Sequence, residues 1–192
     1  RPMAARLAGA GFLVHGYDSS PASRARAAAD RSLKVLPSLE DAVGVAEAVV
    51  TMLPNGAIVR AVVEEMRPHL KPGAVIVDMS SSDPMGTRAL GEELIASGFG
   101  FVDAPVSGGV KRAVDGTLAI MAGGEAAGID RVEPLLQAMG RSLFRTGPLG
   151  SGHAMKALNN YVSGAGLIAA IEALEVGRAF GLEPDVIVDV LN

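Results

Sequence analysis

Lys156 and Asn160 stand four residues apart in the stretch Gly150-Ser151-Gly152-His153-Ala154-Met155-Lys156-Ala157-Leu158-Asn159-Asn160. On a helix that spacing projects both side chains from one face, so a single small ligand can meet both. Lys156 is flanked by Ala154, Met155, Ala157 and Leu158. Apolar surroundings disfavour an ammonium ion and draw the lysine pKa toward neutrality, which makes the amine usable as proton donor and acceptor. The competing reading is a lysine whose methylenes cover apolar surface while its charge stays in water. His153 reads as a helix-start residue. A second candidate is Asp103-Ala104-Pro105-Val106-Ser107-Gly108-Gly109, where a glycine pair lets backbone N–H groups approach an anion such as a carboxylate, although glycine more commonly serves only the turn itself.

These segments need elements to hold them, and the apolar runs supply a regular alternation. Strands are predicted at Phe12 to Tyr17, Glu47 to Leu53, Val75 to Met79, Gly100 to Ala104, Leu118 to Ala122 and Ser142 to Thr146. Most are short continuous apolar runs, as expected of strands buried on both faces. Helices are predicted at Pro2 to Gly9, Pro21 to Asp30, Ile58 to Leu70, Pro84 to Ser97 and Ala126 to Met139, with Ser20 and Asp83 as capping residues. Strand and helix in alternation imply βαβ units and a parallel sheet. From Ser151 to Phe180 the pattern becomes one long helix, which Gly181 stops, and Pro184 opens another at Pro184 to Leu191.

The fold class is therefore α/β, a Rossmann-type doubly wound sheet over 1–149, followed by the start of an all-α second domain over 150–192. A Rossmann sheet opens with strand, glycine-rich turn and helix. Here the first element is a helix, so the first strand is expected to be missing and the chain to be truncated at both ends.

In such a sheet ligands bind beyond the carboxyl ends of the strands. Asp18 ends the first strand, about where the carboxylate that accepts the adenosine ribose hydroxyls belongs, or else it serves only as a cap. As a ribose ligand it favours NAD: it would repel a 2′-phosphate, and neither Ser19 nor Ser20 brings an arginine to neutralise one. Leu53-Pro54-Asn55-Gly56 and Asp78-Met79-Ser80-Ser81-Ser82-Asp83-Pro84 occupy the corresponding place after later strands. Each reads either as a cofactor-facing loop or as an ordinary turn and cap.

Bulk properties exclude several classes. Of the 192 residues 49% are hydrophobic and 20% charged, which fits a folded α/β protein. A net charge of −4, with 17 scattered Lys and Arg, gives no basic field for nucleic acid. With no cysteine there are no disulfides, no thiolate metal site and no Cys nucleophile; no metal site is predicted, and the expected setting is the cytoplasm. The apolar run Tyr161 to Ile171 is far short of the ~20 residues a membrane span needs. The opening Arg1-Pro2-Met3-Ala4-Ala5-Arg6 lacks the apolar core of a targeting signal.

Taken together the segments resemble the β-hydroxyacid dehydrogenase family, which includes 3-hydroxyisobutyrate, tartronate semialdehyde and 6-phosphogluconate dehydrogenases. DAPVSGG at Asp103 to Gly109 and GxGxxxKxxxN at Gly150 to Asn160 carry the likeness in the right order. The resemblance implies that Lys156 is the catalytic lysine and that Asn160 helps hold it and the substrate. It further implies that Ser107, Gly108 and Gly109 bind the substrate carboxylate and that Leu53, Pro54, Asn55 and Ser81 line the nicotinamide end of NAD. Relatives that decarboxylate sugar phosphates carry His directly before the motif's Asn, whereas this chain has Asn159, so simple oxidation is expected. A homo-oligomer is also implied. The phosphate-binding glycines would lie before Arg1, so this stretch of chain is expected to bind NAD poorly. Alternatives are a tartronate semialdehyde or related 2-/3-hydroxy acid reductase, and a non-catalytic NAD-binding interaction protein of the same fold.

Overall fold

A computed structural model describes residues 1–191. Its elements in chain order are α1 (Pro2–Gly9), β1 (His15–Gly16), α2 (Pro21–Ala28), β2 (Lys34–Val35), α3 (Leu39–Val43), β3 (Ala48–Thr51), α4 (Gly56–Met66), β4 (Val75–Asp78), α5 (Pro84–Ala96), β5 (Gly100–Asp103), β6 (Val106–Ser107), α6 (Gly109–Asp115), β7 (Leu118–Gly123), α7 (Ala126–Met139), β8 (Gly140–Gly147), α8 (Ser151–Phe180) and α9 (Pro184–Leu191). Contacts divide them into two compact units, one from Arg1 to Lys156 and one from Ala157 onward.

The first unit contains a six-stranded sheet with neighbours in the order β3-β4-β5-β7-β6, and β8 also pairs with β7. Strands β3, β4 and β5 run parallel, as do β7 and β8, while β7 meets β5 and β6 antiparallel. The alternating pattern implies a parallel sheet, and parallel pairing holds for β3 with β4, β4 with β5 and β7 with β8. The reversal at β7 follows from β6 and α6: together they bring the chain back alongside β5 without the long crossover that parallel neighbours require. Strands β1 and β2 form a separate parallel pair.

Side-chain alternation along β4 and β5 explains why both sheet faces are covered. Val75, Val77 and Val102 point into one apolar cluster with Ile129, Val132, Leu136 and Met139 of α7. Ile76 and Phe101 point into another with Val59 and Val63 of α4 and Leu90 and Leu94 of α5. A period of two on the strands meeting helices on either side is the doubly wound arrangement the apolar runs predict. The second unit contains most of α8 and all of α9, and no helix among the described residues is long and apolar enough to cross a membrane.

Several boundaries differ from the expected ones. Strand β1 covers only His15–Gly16 of the run Phe12 to Tyr17; among the described residues it pairs only with β2, and Leu13 is 84% exposed. Helix α4 starts at Gly56, capped by the Asn55 side chain, and gives way to a 3₁₀ turn at Arg67–His69 containing Pro68, which cannot donate an α-helical hydrogen bond. Strands β2 and β6 and helices α3 and α6 were not expected. Two-residue strands and helices of five and seven residues are too short to show a period.

Candidate functional site

Thr51, Asp78 and Asp103 are the last residues of β3, β4 and β5 and lie side by side in register, with Gly123 of β7 opposite Asp103. This row forms the carboxyl edge of the sheet. Asp78 is 1% exposed and Asp103 fully buried. Buried carboxylates persist only with donors around them. Asp78 Oδ1 accepts from the Thr51 hydroxyl at 2.9 Å and from Ser80 N–H at 3.0 Å, and its Oδ2 accepts from the Ser82 hydroxyl at 2.9 Å. Ser80 Oγ in turn accepts from Leu53 N–H at 2.9 Å, tying the loop after β3 to the loop after β4.

Asp103 reaches across 47 and 50 residues of chain. Its Oδ1 accepts from Gly150 N–H at 2.8 Å and its Oδ2 from His153 N–H at 2.9 Å. These are N–H groups at the start of α8, which have no partner inside the helix, and a carboxylate there also complements the helix dipole. Burial pushes the Asp103 carboxyl above its ordinary value, opposed by the two backbone N–H groups.

The glycines of Gly150-Ser151-Gly152 make this approach possible. A Cβ on Gly152 would lie against Met121 O and 2.7 Å from Asp103 O, and one on Gly150 would lie 2.7 Å from Pro84 O. Any larger residue at either position would push the first turn of α8 away from the sheet edge. The Ser151 hydroxyl lies 2.8 Å from Thr146 Oγ1, adding a tether to β8.

His153, in the first turn of α8, is 1% exposed. Its Nδ1 lies 2.9 Å from Thr87 Oγ1 on α5, and its Nε2 lies 3.1 Å from Ser80 O. The Asp78 and Asp103 carboxylates flank the ring at 3.7 and 3.9 Å. Three residues further on, Lys156 is half-buried, and desolvation lowers its pKa from the ordinary lysine value. Among the described residues its amine has neither an ion pair nor a hydrogen bond.

The remaining predicted residues fall at strand ends. Asn55 caps α4, its Oδ1 accepting from Ile58 N–H at 3.0 Å. It shares with Ser81, Ser82, Asp83 and Arg60 a depression of about 410 Å³ between the starts of α4 and α5. Pro54 and Ser81 are exposed and Leu53 half-buried. The cap for α5 is Asp83, which accepts from Gly86 N–H at 2.6 Å, so Ser81 is not used as a cap. Ser107 ends β6, paired with Ala119. Gly108 and Gly109 follow with φ of +132° and +66°, a backbone that side-chain-bearing residues rarely adopt, and Gly109 begins α6.

Asp18 is exposed beyond β1, where its Oδ1 accepts from Ser20 N–H at 2.8 Å. Ser20, not Asp18, caps α2 by accepting from Ser23 N–H. The two residues after Asp18 carry no cation, but α2 returns Arg24, whose guanidinium donates to the carbonyls of Asp18 and Ser19 and lies 5.5 Å from the centre of the Tyr17 ring. Asn160 lies in α8 within the second unit.

The sequence alone does not disclose the buried cluster: Asp103 has no role of its own in the glycine-loop motif, Asp78 reads as part of its turn, Thr87 does not stand out, and His153 reads as a helix-start residue. One signal was available: two successive apolar runs, Val75-Ile76-Val77-Asp78 and Phe101-Val102-Asp103, each end in a carboxylate that an interior sheet must pair. Apart from Ser80 and Ser82, which follow Asp78 closely, their partners lie 27 to 75 residues away and could not be named from the sequence.

Comparisons with known proteins agree with this architecture. Residues 1–147 match the NAD binding domain of 6-phosphogluconate dehydrogenase, and residues 150–192 match the NAD-binding domain of NADP-dependent 3-hydroxyisobutyrate dehydrogenase. The structure of Mycobacterium tuberculosis 3-hydroxyisobutyrate dehydrogenase with L-serine is similar with a TM-score of 0.93 and 36% identity, over 99% of this chain and 65% of that one. The 2-(hydroxymethyl)glutarate dehydrogenase of Eubacterium barkeri is 34% identical over 100% of this chain and 64% of its own length. The NAD-dependent L-serine dehydrogenase of Pseudomonas aeruginosa is 34% identical over 100% and 65%. The chain thus spans just under two thirds of the relatives it matches. With its sheet, its Asp103-anchored helix and its ordered motifs, the chain belongs to the family of 6-phosphogluconate and 3-hydroxyisobutyrate dehydrogenases.

Proposed function

We propose that the protein is a dehydrogenase of small 3-hydroxy acids that uses NAD in preference to NADP, with Lys156 as its acid/base. The observation that carries this reading is Lys156 itself: a half-buried amine without a fixed partner among the described residues, its charged form disfavoured by desolvation. It sits in a helix whose first turn is pinned to the sheet edge.

The residues present fit a nicotinamide dinucleotide. Asp18 is exposed at the end of β1 with only one of its oxygens engaged locally, so the other can accept ribose hydroxyls. Arg24 is held by two backbone carbonyls, which lessens its availability to a 2′-phosphate and favours NAD. Leu53, Pro54, Asn55 and Ser81 are the residues assigned to the nicotinamide end. The cofactor, when bound, supplies the hydride acceptor.

In this reading Ser107 and the backbone N–H groups of Gly108 and Gly109 take the substrate carboxylate and so orient the hydroxyl-bearing carbon. Lys156 removes the hydroxyl proton during oxidation and returns it in the reverse direction. Asn160, four residues on in the helix, orients the hydroxyl by hydrogen bonding. Both L-serine and 3-hydroxyisobutyrate carry a hydroxyl on the third carbon, and relatives named for each support that substrate class. A 3-hydroxy amino acid is thus the second reading.

The test is turnover by the full-length protein of 3-hydroxyisobutyrate, L-serine and glycerate with NAD or NADP. Lys156→Ala should reduce it on the order of 10² to 10⁴-fold. Oxidation needs the neutral amine, so kcat/KM should rise with pH through a pKa below the ordinary lysine range. Unchanged turnover in the variant would sink the assignment.

A further inference from the structure

The buried imidazole of His153 is built into the sheet edge more firmly than a helix start requires. Gly150 N–H and His153 N–H already engage Asp103. The ring adds two more links, to Thr87 of α5 and to the Ser80 carbonyl after β4. Its hydrogen bonds also define its protonation pattern. A carbonyl oxygen only accepts, so Nε2 must carry a proton to bond Ser80 O. In the neutral ring Nδ1 is then left to accept from the Thr87 hydroxyl, which has no other hydrogen bond among the described residues.

Lys156 follows His153 by three residues, which on a helix places the two on adjoining parts of one face, about 4.5 Å apart along the axis. Whatever fixes the rotation and depth of the first turn therefore fixes where the amine stem leaves the helix. Gly152 lets the turn lie against Asp103 and Met121, but contact through a glycine resists only inward movement. The imidazole, bonded on two sides, resists rotation as well.

We propose that His153, held as its Nε2–H tautomer between Thr87 and Ser80, is a positioning residue that sets the direction of Lys156. The proposal rests on the reading of Lys156 as acid/base. It assigns the buried Thr87 a part in turnover that acts through His153. Displacement of a reacting group by about 1 Å can cost on the order of 10²-fold in rate, so loosening one of two ring bonds should cost about tenfold.

The deciding experiment compares Thr87→Val with Thr87→Ser in the full-length protein. Valine keeps the shape and removes the hydroxyl; serine restores it. Thr87→Val is expected to lower kcat about tenfold with little change in KM, and Thr87→Ser to recover most of it. A merely structural Thr87 would lower the melting temperature and leave kcat per folded site unchanged, which would overturn the proposal. If Lys156→Ala itself retains turnover, the acid/base reading falls and this proposal with it. If Lys156→Ala is inactive and Thr87→Val is not impaired, only the positioning role falls.

Two readouts are independent of turnover. In ¹⁵N-histidine spectra the resonance lost in His153→Gln should report a protonated Nε2 and an unprotonated Nδ1; the other tautomer, or an imidazolium shared with Asp78 and Asp103, would overturn the assignment. The rate at which an amine-acylating reagent modifies Lys156, with exposed Lys111 as internal control, should change severalfold in Thr87→Val and not in Thr87→Ser. An unchanged ratio would count against the proposal.

Discussion

Asp18 and Asp103 close comparable strand regions in the same chain, yet one is exposed and the other entirely consumed by the protein. Beyond β1, Asp18 makes a single local bond to Ser20 N–H and faces solvent. Beyond β5, Asp103 has no exposed surface, and both its oxygens hold backbone N–H groups of a helix some fifty residues later. Asp78 beside it is likewise filled, by Thr51, Ser80 and Ser82. The difference lies in what packs above each strand end. Where the first turn of α8 packs on the sheet edge, the carboxylate becomes its cap; where no element among the described residues packs on it, the carboxylate stays exposed.

Breaking the buried side of this contrast should have the largest effect. Asp103→Asn presents an NH₂ group to one of two N–H donors that cannot reverse their role, and should lower the unfolding free energy by about 2 kcal/mol near neutral pH. Urea titration of wild type and variant measures it. The sign of its pH dependence follows from the raised carboxyl pKa. Proton uptake by folded Asp103 contributes stability fully below the unfolded carboxylate pKa, and that contribution is lost as pH rises through the folded value. The penalty of the variant should therefore be greatest below the unfolded carboxylate pKa and shrink as pH rises through the folded value.

Asp78→Asn should cost less, about 1 kcal/mol in the same titration, because the Ser82 hydroxyl can turn from donor to acceptor and meet the new NH₂. A loss as large as that at Asp103 would show that the geometry of the row, rather than the fixed polarity of its donors, sets the energy.

The smallest stability change is expected at Asp18. Asp18→Ala should stay within about 0.5 kcal/mol of wild type, as exposed positions do. In the full-length protein it should nevertheless weaken NAD binding on the order of tenfold or more, the worth of a hydrogen bond to a charged group, and narrow the preference over NADP. Calorimetric titration with both dinucleotides checks this. Equal binding by wild type and variant would remove Asp18 from the cofactor site and leave it only its turn with Ser20.

Much of the fold was legible because its signals are local. Helices α1, α7, α8 and α9 appear at their expected bounds, since the apolar period, an opening proline at α1 and α9 and a glycine just beyond α7 and α8 all lie in or beside the segment. The central strands follow from runs such as Val75-Ile76-Val77, apolar because both faces are covered. Strand β6 escaped notice because two residues become a strand only by virtue of a neighbour to pair with.

The amino-acid sequence by itself determined the alternation of elements, the order of the motifs and the candidacy of Lys156, because each is written in neighbouring residues or in spacing along one helix. Tertiary structure decided which polar groups remain available. It assigned Asp78 and Asp103 to the interior, gave His153 its two partners, brought Arg24 back to the carbonyls beside Asp18 and left the Lys156 amine unpaired among the described residues. A buried charge takes whatever donor the fold brings within about 3 Å, and for most of these residues that donor lies tens of positions away in the chain.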